Sequence, residues 1–399
     1  MSNQKWPLKN WTGVFVAIIV FGGGTLFKQQ WRRSSSPFFN SYAKPKSLTF
    51  ELSEISQSIG LVHRHENFSA KPKFKNVEPF IVSDSATVSV SDFNNDDWPD
   101  IYVNSSKIGT ISRLFRNNKD GTFTDVAEQA GVARMSDEYP SFGGFFFDYD
   151  NDGNKDMLVL AGRIPQVYRN NGKGKFEKRF EIQSPPVNQR APPSQVAAIF
   201  DYDNDGFLDV LVAHKWTSSM PNGLFSATNG GEVFLFRNER GKTFTWVPGN
   251  MGMNHVGFSR AIGTYDIRGT GRSDVWFAND FAADRLYLND GNGAFRNVSD
   301  KIVGHSFSRN GMNAEMADAD NDGQTLTYVS HIFEEEARPA GNVLWKWMGE
   351  EKFKEISRER GVSRCGWSWA GKFVDLDNNG HLDLVVGNGF ISASRKKSY

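Results

Sequence analysis

The sequence predicts an all-β protein: a β-propeller of four-stranded blades, with six repeat units visible and six or seven blades in the ring, preceded by an N-terminal hydrophobic helix. Three observations carry this. An acidic loop recurs six times, starting at Asp92, Asp148, Asp201, Asp266, Asp318 and Asp375, at intervals of 52 to 65 residues. The loops are flanked by short apolar runs such as Val196–Phe200 and Val210–Ala213, which suit strands rather than helices. Two further apolar segments follow in fixed order, so each unit supplies four strands, and a period near 50 is that of a propeller or array.

Residues 1–33 form the first region. Trp11–Phe27 is an apolar run of 17 residues flanked by Lys5, Lys9, Lys28, Arg32 and Arg33. It reads as a signal peptide or a short membrane anchor, with a buried soluble helix as the alternative. The charge bias does not settle orientation. Residues 34–47, polar with Pro37 and Pro45, form a linker. The repeats occupy 48–391, and 392–399 is a solvated tail.

Within each unit the first strand is rich in small residues, as in Phe142-Gly-Gly-Phe-Phe-Phe147, which fits a crowded central channel. The third strand repeats as Leu114-Phe-Arg-Asn117, Val167-Tyr-Arg-Asn170, Leu235-Phe-Arg-Asn238 and Leu286-Tyr-Leu-Asn289. The fourth repeats as Phe123-Thr-Asp-Val126 and Ala294-Phe-Arg-Asn-Val298. Phe50–Gly60 resembles the segment Phe123–Gly131 but precedes the first loop, so it can complete the last unit and hide its edge.

The loops point to Ca2+. Carboxylates at positions 1, 3, 5 and 9 would repel one another, and a hard cation that takes about 6–8 oxygens removes the repulsion. Position 7 adds a main-chain carbonyl, and Gly at position 6 permits the turn. The full set is present as Asp148, Asp150, Asp152, Asn154 and Asp156, and again as Asp201, Asp203, Asp205, Phe207 and Asp209. The first loop offers Asp92, Asn94, Asp96, Trp98 and Asp100, with Asp97 in place of Gly. The last offers Asp375, Asp377, Asn379, His381 and Asp383, and its neutral Asn379 weakens it. Asp318, Asp320 and Asp322 form a weaker site, because Leu326 replaces the closing Asp. In the loop at Asp266, Arg268 can stand in for the cation by pairing with Asp266 and Asp274. An EF-hand would carry Glu at position 12, where Val159 and Val212 stand. Plain polar turns also favour Asp, Asn and Gly, but do not require this repeated spacing.

Composition bounds the rest. Lys plus Arg number 46 and Asp plus Glu 46, so no basic excess argues for nucleic acid. The single cysteine, Cys365, excludes an intrachain disulfide. His63 and His65 are two apart, a spacing that permits a metal pair but shows no third ligand, and solvent exposure is the expectation for both. Trp345, Trp347, Trp367 and Trp369 are either a sugar-stacking platform or core. No P-loop or Gly-x-Ser-x-Gly element is present.

The combination of Asp148-Tyr-Asp-Asn-Asp-Gly153, Leu114–Val126, Ala278-Asn-Asp-Phe-Ala-Ala-Asp-Arg-Leu-Tyr287, Gly366-Trp-Ser-Trp369 and Gly387-Asn-Gly389 resembles the FG-GAP/VCBS repeat proteins. Their blades are similar to those of integrin α propellers, and the ASPIC/UnbV group matches best. The resemblance covers about residues 48–390. It implies a Ca2+-binding propeller, commonly seven-bladed, in an exported protein. Relatives continue into another blade and a C-terminal domain, so it also implies a shortened member. The expectation is an extracytoplasmic protein, envelope-anchored or secreted, that acts as an adhesion-type scaffold. It would bind a protein or glycan ligand at the blade-end loops and meet the membrane through Trp11–Phe27 if that segment is uncleaved. The alternatives are a carbohydrate-active lyase or hydrolase on a propeller scaffold, for which no catalytic residue is nominated, and an inactive shortened paralogue. Convergence of His255, Arg260, His305 and Arg309 with carboxylates would favour the enzyme.

Overall fold

The computed structural model describes residues 53–66, 86–135, 140–162, 164–183, 196–214, 222–223, 226–291, 293–303, 310–332 and 341–388. The apolar segment Trp11–Phe27, the linker, the tail, His305 and Arg309 lie outside them. Among the described residues no helix is long and apolar enough to cross a membrane.

The chain is all-β. The first sheet is β1 (Val88–Ser91), β2 (Asp100–Val103), β3 (Arg113–Asn117) and β4 (Phe123–Asp125). The second is β5 (Ser141–Phe147), β6 (Asp156–Ala161), β7 (Gln166–Asn170) and β8 (Phe176–Glu181). The third is β9 (Val196–Phe200), β10 (Asp209–Ala213), β11 (Gly231–Asn238) and β12 (Phe244–Trp246). The fourth is β13 (Val256–Tyr265), β14 (Asp274–Asp280), β15 (Arg285–Gly291) and β16 (Ala294–Asn297). The fifth is β17 (Asn313–Ala317), β18 (Leu326–Ser330), β19 (Val343–Trp347) and β20 (Phe353–Glu355). The sixth has β21 (Ser368–Val374) and β22 (Asp383–Asn388). Within each, consecutive strands pair antiparallel. The first strand of each sheet lies against the first strand of the next. These successive four-stranded meanders are consistent with the blades of a β-propeller.

The core is divided among the junctions. Tyr102, Met157 and Val159 pack between sheets one and two, Leu158, Val210 and Phe236 between two and three, and Leu211, Phe277 and Tyr287 between three and four. Trp276, Leu286 and Val329 fill the next junction, and Tyr328 and Phe373 the last. Second strands are therefore buried on both faces: every residue of β2, β6, β10, β14 and β18 is buried. In β22 the residues are half-buried or exposed.

The small residues of the first strands have a role other than crowding at a central channel. A Cβ on Gly144 would meet the Tyr102 ring at 2.5 Å, and one on Gly371 would meet the Tyr328 ring at 2.5 Å. Each glycine vacates space for an aromatic side chain from the second strand of the preceding sheet. Sheets three and four are joined further, with Gly231 opposite Gly257 and Glu232 opposite Val256.

The N-terminal turn repeats a junction element. After β4, the helical turn Ala127–Ala130 ends at Gly131, whose Cβ position faces the Phe176 carbonyl of the next sheet at 2.8 Å. Gly60 faces the Phe123 carbonyl in the same way, and Leu61 N–H donates to Ser56 O at 2.8 Å as Val132 N–H does to Ala127 O at 3.0 Å. Residues 55–61 thus dock on the first sheet as the end of one sheet docks on the next.

Candidate metal centres

Each acidic loop joins the first strand of a sheet to the second, and the same hydrogen bonds shape it. The position-1 carboxylate accepts two main-chain N–H groups: Asp148 from Asp152 and Gly153 at 3.1 and 2.9 Å, Asp201 from Asp205 and Gly206 at 3.1 and 2.8 Å. Asp92, Asp318 and Asp375 repeat the pattern. Position 5 accepts the N–H of position 7, which fixes the peptides of Trp98, Asn154, Phe207 and His381. Position 9 accepts from both sides: Asp209 takes Tyr202 N–H at 3.0 Å and Asn238 N–H at 2.8 Å.

In three loops the carboxylates converge. Asp148, Asp150 and Asp156 each offer an oxygen within 4.8 Å of the others, as do Asp201, Asp203 and Asp209, and Asp375, Asp377 and Asp383. Oδ1 of Asp150 and Oδ1 of Asp203 are buried with no hydrogen-bond donor, and so is Oδ1 of Asn94 in the first loop. Burial pushes the carboxyls of Asp156 and Asp209 up to about 7 and that of Asp100 to about 6. The main-chain donors pull the other way and the neighbouring acids add to the rise. Gathered carboxylates with one buried oxygen left without a donor match the donor set of a hard cation.

An arginine from the third strand joins the acids of positions 3 and 5. Arg169 holds Asp150 at 3.2 Å and Asp152 at 2.9 Å, and Arg237 holds Asp203 and Asp205, both at 3.1 Å. These arginines are the Arg of the third-strand motif, so the signal was visible but its target was not. In the fourth loop Arg268 pairs with Asp274 at 3.0 Å, as expected. Its second carboxylate is Asp290 at 3.4 Å, while Asp266 accepts Thr270 and Gly271 N–H groups. In the fifth loop Lys346 meets Asp322 at 2.5 Å and Arg360 meets Asp320 at 2.7 Å. There the protein supplies its own cations.

Two sets of asparagines escaped sequence reasoning. Position 4 is Asn in five of the six loops (Asn95, Asn151, Asn204, Asn321, Asn378), each at φ near +57°. Asn151 donates to Gly206 O at 2.9 Å in the next loop, Asn204 to Gly271 O at 2.9 Å, and Asn321 to Gly380 O at 2.6 Å. The Asn at or near the end of the third strand in sheets two, three and four reaches backward. Asn170 donates to Phe93 O, Asn238 to Tyr149 O and Asn289 to Tyr202 O, at 2.7 to 2.9 Å. The fifth sheet has Trp347 there, and Thr325 bonds Ile267 O instead. Asn238→Ala is expected to cost about 3 kcal/mol, because it strips buried carbonyls of their donor. A urea midpoint unchanged from the parent would refute the stapling role.

Other sequence candidates are placed as follows. His63 and His65 are half-buried, not solvent-exposed, and burial, with His65 beside it, lowers the His63 imidazole to about 4. Trp345 and Trp347 pack against the core between sheets four and five. Cys365 is half-buried, and burial raises its thiol.

Three stretches, residues 92–159, 148–212 and 266–325, match the FG-GAP-like repeat family, and each begins at the first acid of a loop. The chain carries three FG-GAP-like repeats. It is 26% identical over 179 residues to mouse (Mus musculus) cartilage acidic protein 1, covering 43% of this chain and 27% of that one. The chain thus spans about a quarter of the length of this curated relative. Among solved structures, a lectin of Agrocybe aegerita that recognises non-reducing terminal N-acetylglucosamine aligns with TM-score 0.45 and 16% identity, over 78% of this chain and 73% of that chain. The V. cholerae biofilm matrix protein Bap1 aligns with TM-score 0.37 and 14% identity, over 67% and 38%. A thermostable family-43 glycoside hydrolase aligns with TM-score 0.35 and 10% identity, over 68% and 92%. All three TM-scores lie below 0.5.

Proposed function

We propose that this FG-GAP repeat protein is an exported, calcium-binding β-propeller scaffold. The supporting observation is the pair of buried, donor-free carboxylate oxygens, on Asp150 and Asp203, each inside a three-carboxylate cluster. Asp148, Asp150 and Asp156 would hold one ion, and Asp201, Asp203 and Asp209 another, with the carbonyls of Asn154 and Phe207 adding to each shell. The first and last loops would bind more weakly, since Asn94 and Asn379 are neutral. The bound ion pins the hairpin and neutralises the acids, so metal binding contributes folding energy. Outside the cytoplasm calcium is plentiful enough to fill such sites. The docking of Gly60 on the first sheet supports a ring of six or seven blades closed through the N-terminal segment.

In this reading the loop end is structural, and the opposite ends of the sheets take a protein or glycan ligand. Asp201→Ala or Asp209→Ala is expected to remove one calcium equivalent in a calorimetric titration and to lower the melting temperature in Ca2+. Unchanged stoichiometry and melting would refute the assignment.

A second reading, an enzyme on this scaffold, is favoured by one observation. His255 bonds Ser259 at 2.9 Å, Ser259 bonds Asn279 at 3.0 Å, and the adjacent Asp280 pairs with Arg260 at 2.7 Å. These groups converge at the sheet ends away from the acidic loops. Release of reducing ends from a polysaccharide panel, lost in Asp280→Asn, would favour it over the scaffold.

A further inference from the structure

We infer that the cavity along the first strands of sheets one, two and three is a binding site for a small apolar monocarboxylate, with Lys155 as its counter-ion. The inference rests on the calcium reading, because an ion in the loop of the second sheet sets the charge of the cavity wall.

The cavity has a volume of about 410 Å³. That is within the range of small-molecule sites, about 300–1,000 Å³. It lies along a row of first strands, since β1 packs against β5 and β5 against β9. Ser89 Oγ, in its wall, donates to Gly144 O at 2.5 Å and ties β1 to β5. Much of the wall is apolar. Val90, Phe145, Ile199 and Leu208 line it, and none of the four is fully buried. Val90 is 61% exposed, although the strand paired with its own is wholly buried. Apolar groups from three sheets that meet water at one place gain from a ligand that covers them.

Two charged residues complete the wall, Asp148 and Lys155. They do not neutralise each other. Both oxygens of Asp148 accept main-chain N–H groups, and among the described residues Lys155 forms no ion pair. The other acids of the loop are engaged elsewhere. Arg169 holds Asp150 and Asp152, and Asp156 accepts the N–H groups of Tyr149 and Asn170. Lys155 is half-buried and stands at position 8 of its loop, where the next loop has Leu208. Leu208 shows that an apolar residue serves the loop at this position. An ammonium among apolar side chains, without a counter-ion, is disfavoured unless something pairs with it.

The chemistry of the ligand follows from charge. With the loop empty, the Asp148 carboxylate stands in the same wall as Lys155 and repels an anion. Asp148, Asp150 and Asp156 offer oxygens within 4.8 Å of one another, so an ion there ties up the charge of Asp148. The wall then keeps one unmatched cation beside apolar faces. A single ammonium, with no second cation in the wall, matches one negative charge better than the two of a phosphate monoester. The apolar faces match an aryl or alkyl body. Calcium and the carboxylate are therefore positively coupled, and by linkage each raises the affinity of the other by the same factor.

The test uses the full chain, with calcium and with chelator. The probes are phenylbutyrate and naphthoate, each beside its uncharged alcohol, phenylbutanol and naphthylmethanol. Binding is read by isothermal titration calorimetry and by saturation transfer to the aryl protons, and calcium uptake is titrated separately. In calcium the carboxylates are expected to bind about tenfold more tightly than the alcohols. Chelation is expected to remove that preference while alcohol binding persists, which keeps a change of charge distinct from collapse of the cavity. Saturating phenylbutyrate is expected to raise calcium affinity by the factor that chelation removes. Lys155→Met keeps the aliphatic stem, and is expected to bring the carboxylates to the level of the alcohols while calcium uptake continues. Val90→Asp, at an exposed position, is expected to exclude the carboxylates. Calcium uptake without a preference for carboxylate, carboxylate binding unchanged in Lys155→Met, or no binding of any probe by a calcium-loaded protein that melts cooperatively would each overturn this inference alone. A protein that takes up no calcium would overturn it together with the calcium reading.

Discussion

Millimolar Ca2+ is expected to raise the melting temperature of the chelator-treated protein by about 5–10 °C. A site filled at about a hundred times its dissociation constant adds about 2.7 kcal/mol, and two such sites about twice that. Two loops, those at Asp148 and Asp201, combine complete acids, convergent oxygens and orphaned lone pairs. Most of the gain should therefore come from the second and third sheets. The loop at Asp375 converges too, but its Asp377 is exposed, which predicts a smaller share. The loops at Asp266 and Asp318 should add nothing measurable, because Arg268 occupies the closing acid Asp274 in one and Leu326 replaces the closing acid in the other. Differential scanning calorimetry across calcium concentrations measures the shift. A melting temperature that ignores calcium would mean that the loops are polar turns whose orphaned oxygens are met by water.

The second large effect is one of pH, and its sign is unusual for carboxylates. Asp156 and Asp209 titrate at about 7 in the metal-free fold, with burial as the first cause. In the unfolded chain they titrate near 3.9. Between these values the folded state keeps protons that the unfolded state has released. The stability of the chelated protein is therefore greatest below about pH 4 with respect to these groups, and it is lost as pH rises towards 7. Each group contributes at most about 4 kcal/mol to this loss. Calcium needs both carboxylates ionised, so its stabilisation grows across the same window. Melts between about pH 5 and about pH 7.5 should show the chelated protein weakening while the gap to the calcium-loaded protein widens. A chelated protein that gains stability with pH across this range would refute the burial of these two acids.

Much of the fold was legible because strand spacing and turn chemistry are local. The interval between Asp148 and Asp201 sets the unit, and Gly153 and Gly206 mark the turn at φ +87° and +89°. The ligand positions were legible for the same reason: one loop holds them all. What escaped the reading was everything that acts between units. Asn151 looks like a turn residue until its partner, Gly206 O, is seen in the next sheet. Arg169 looks like a solvated strand residue until it folds over Asp150 and Asp152. Gly144 suggests a crowded channel, but it faces Tyr102, a contact set by how two sheets meet. Nor does spacing show that Trp345 packs against the core between sheets four and five.

The asparagine bonds have a mechanical consequence. Every junction from the first sheet to the sixth is crossed at the loop end by at least one side-chain bond to a neighbouring carbonyl. The opposite rim is tied as well: Asn104 donates to Ser141 O, Asn310 to Asp280 and Asn342 to Ser368 Oγ, and Gly231 pairs with Gly257. The sheets resemble the pages of a book stitched at both edges. A sideways pull would have to break polar bonds at either edge before any page could turn.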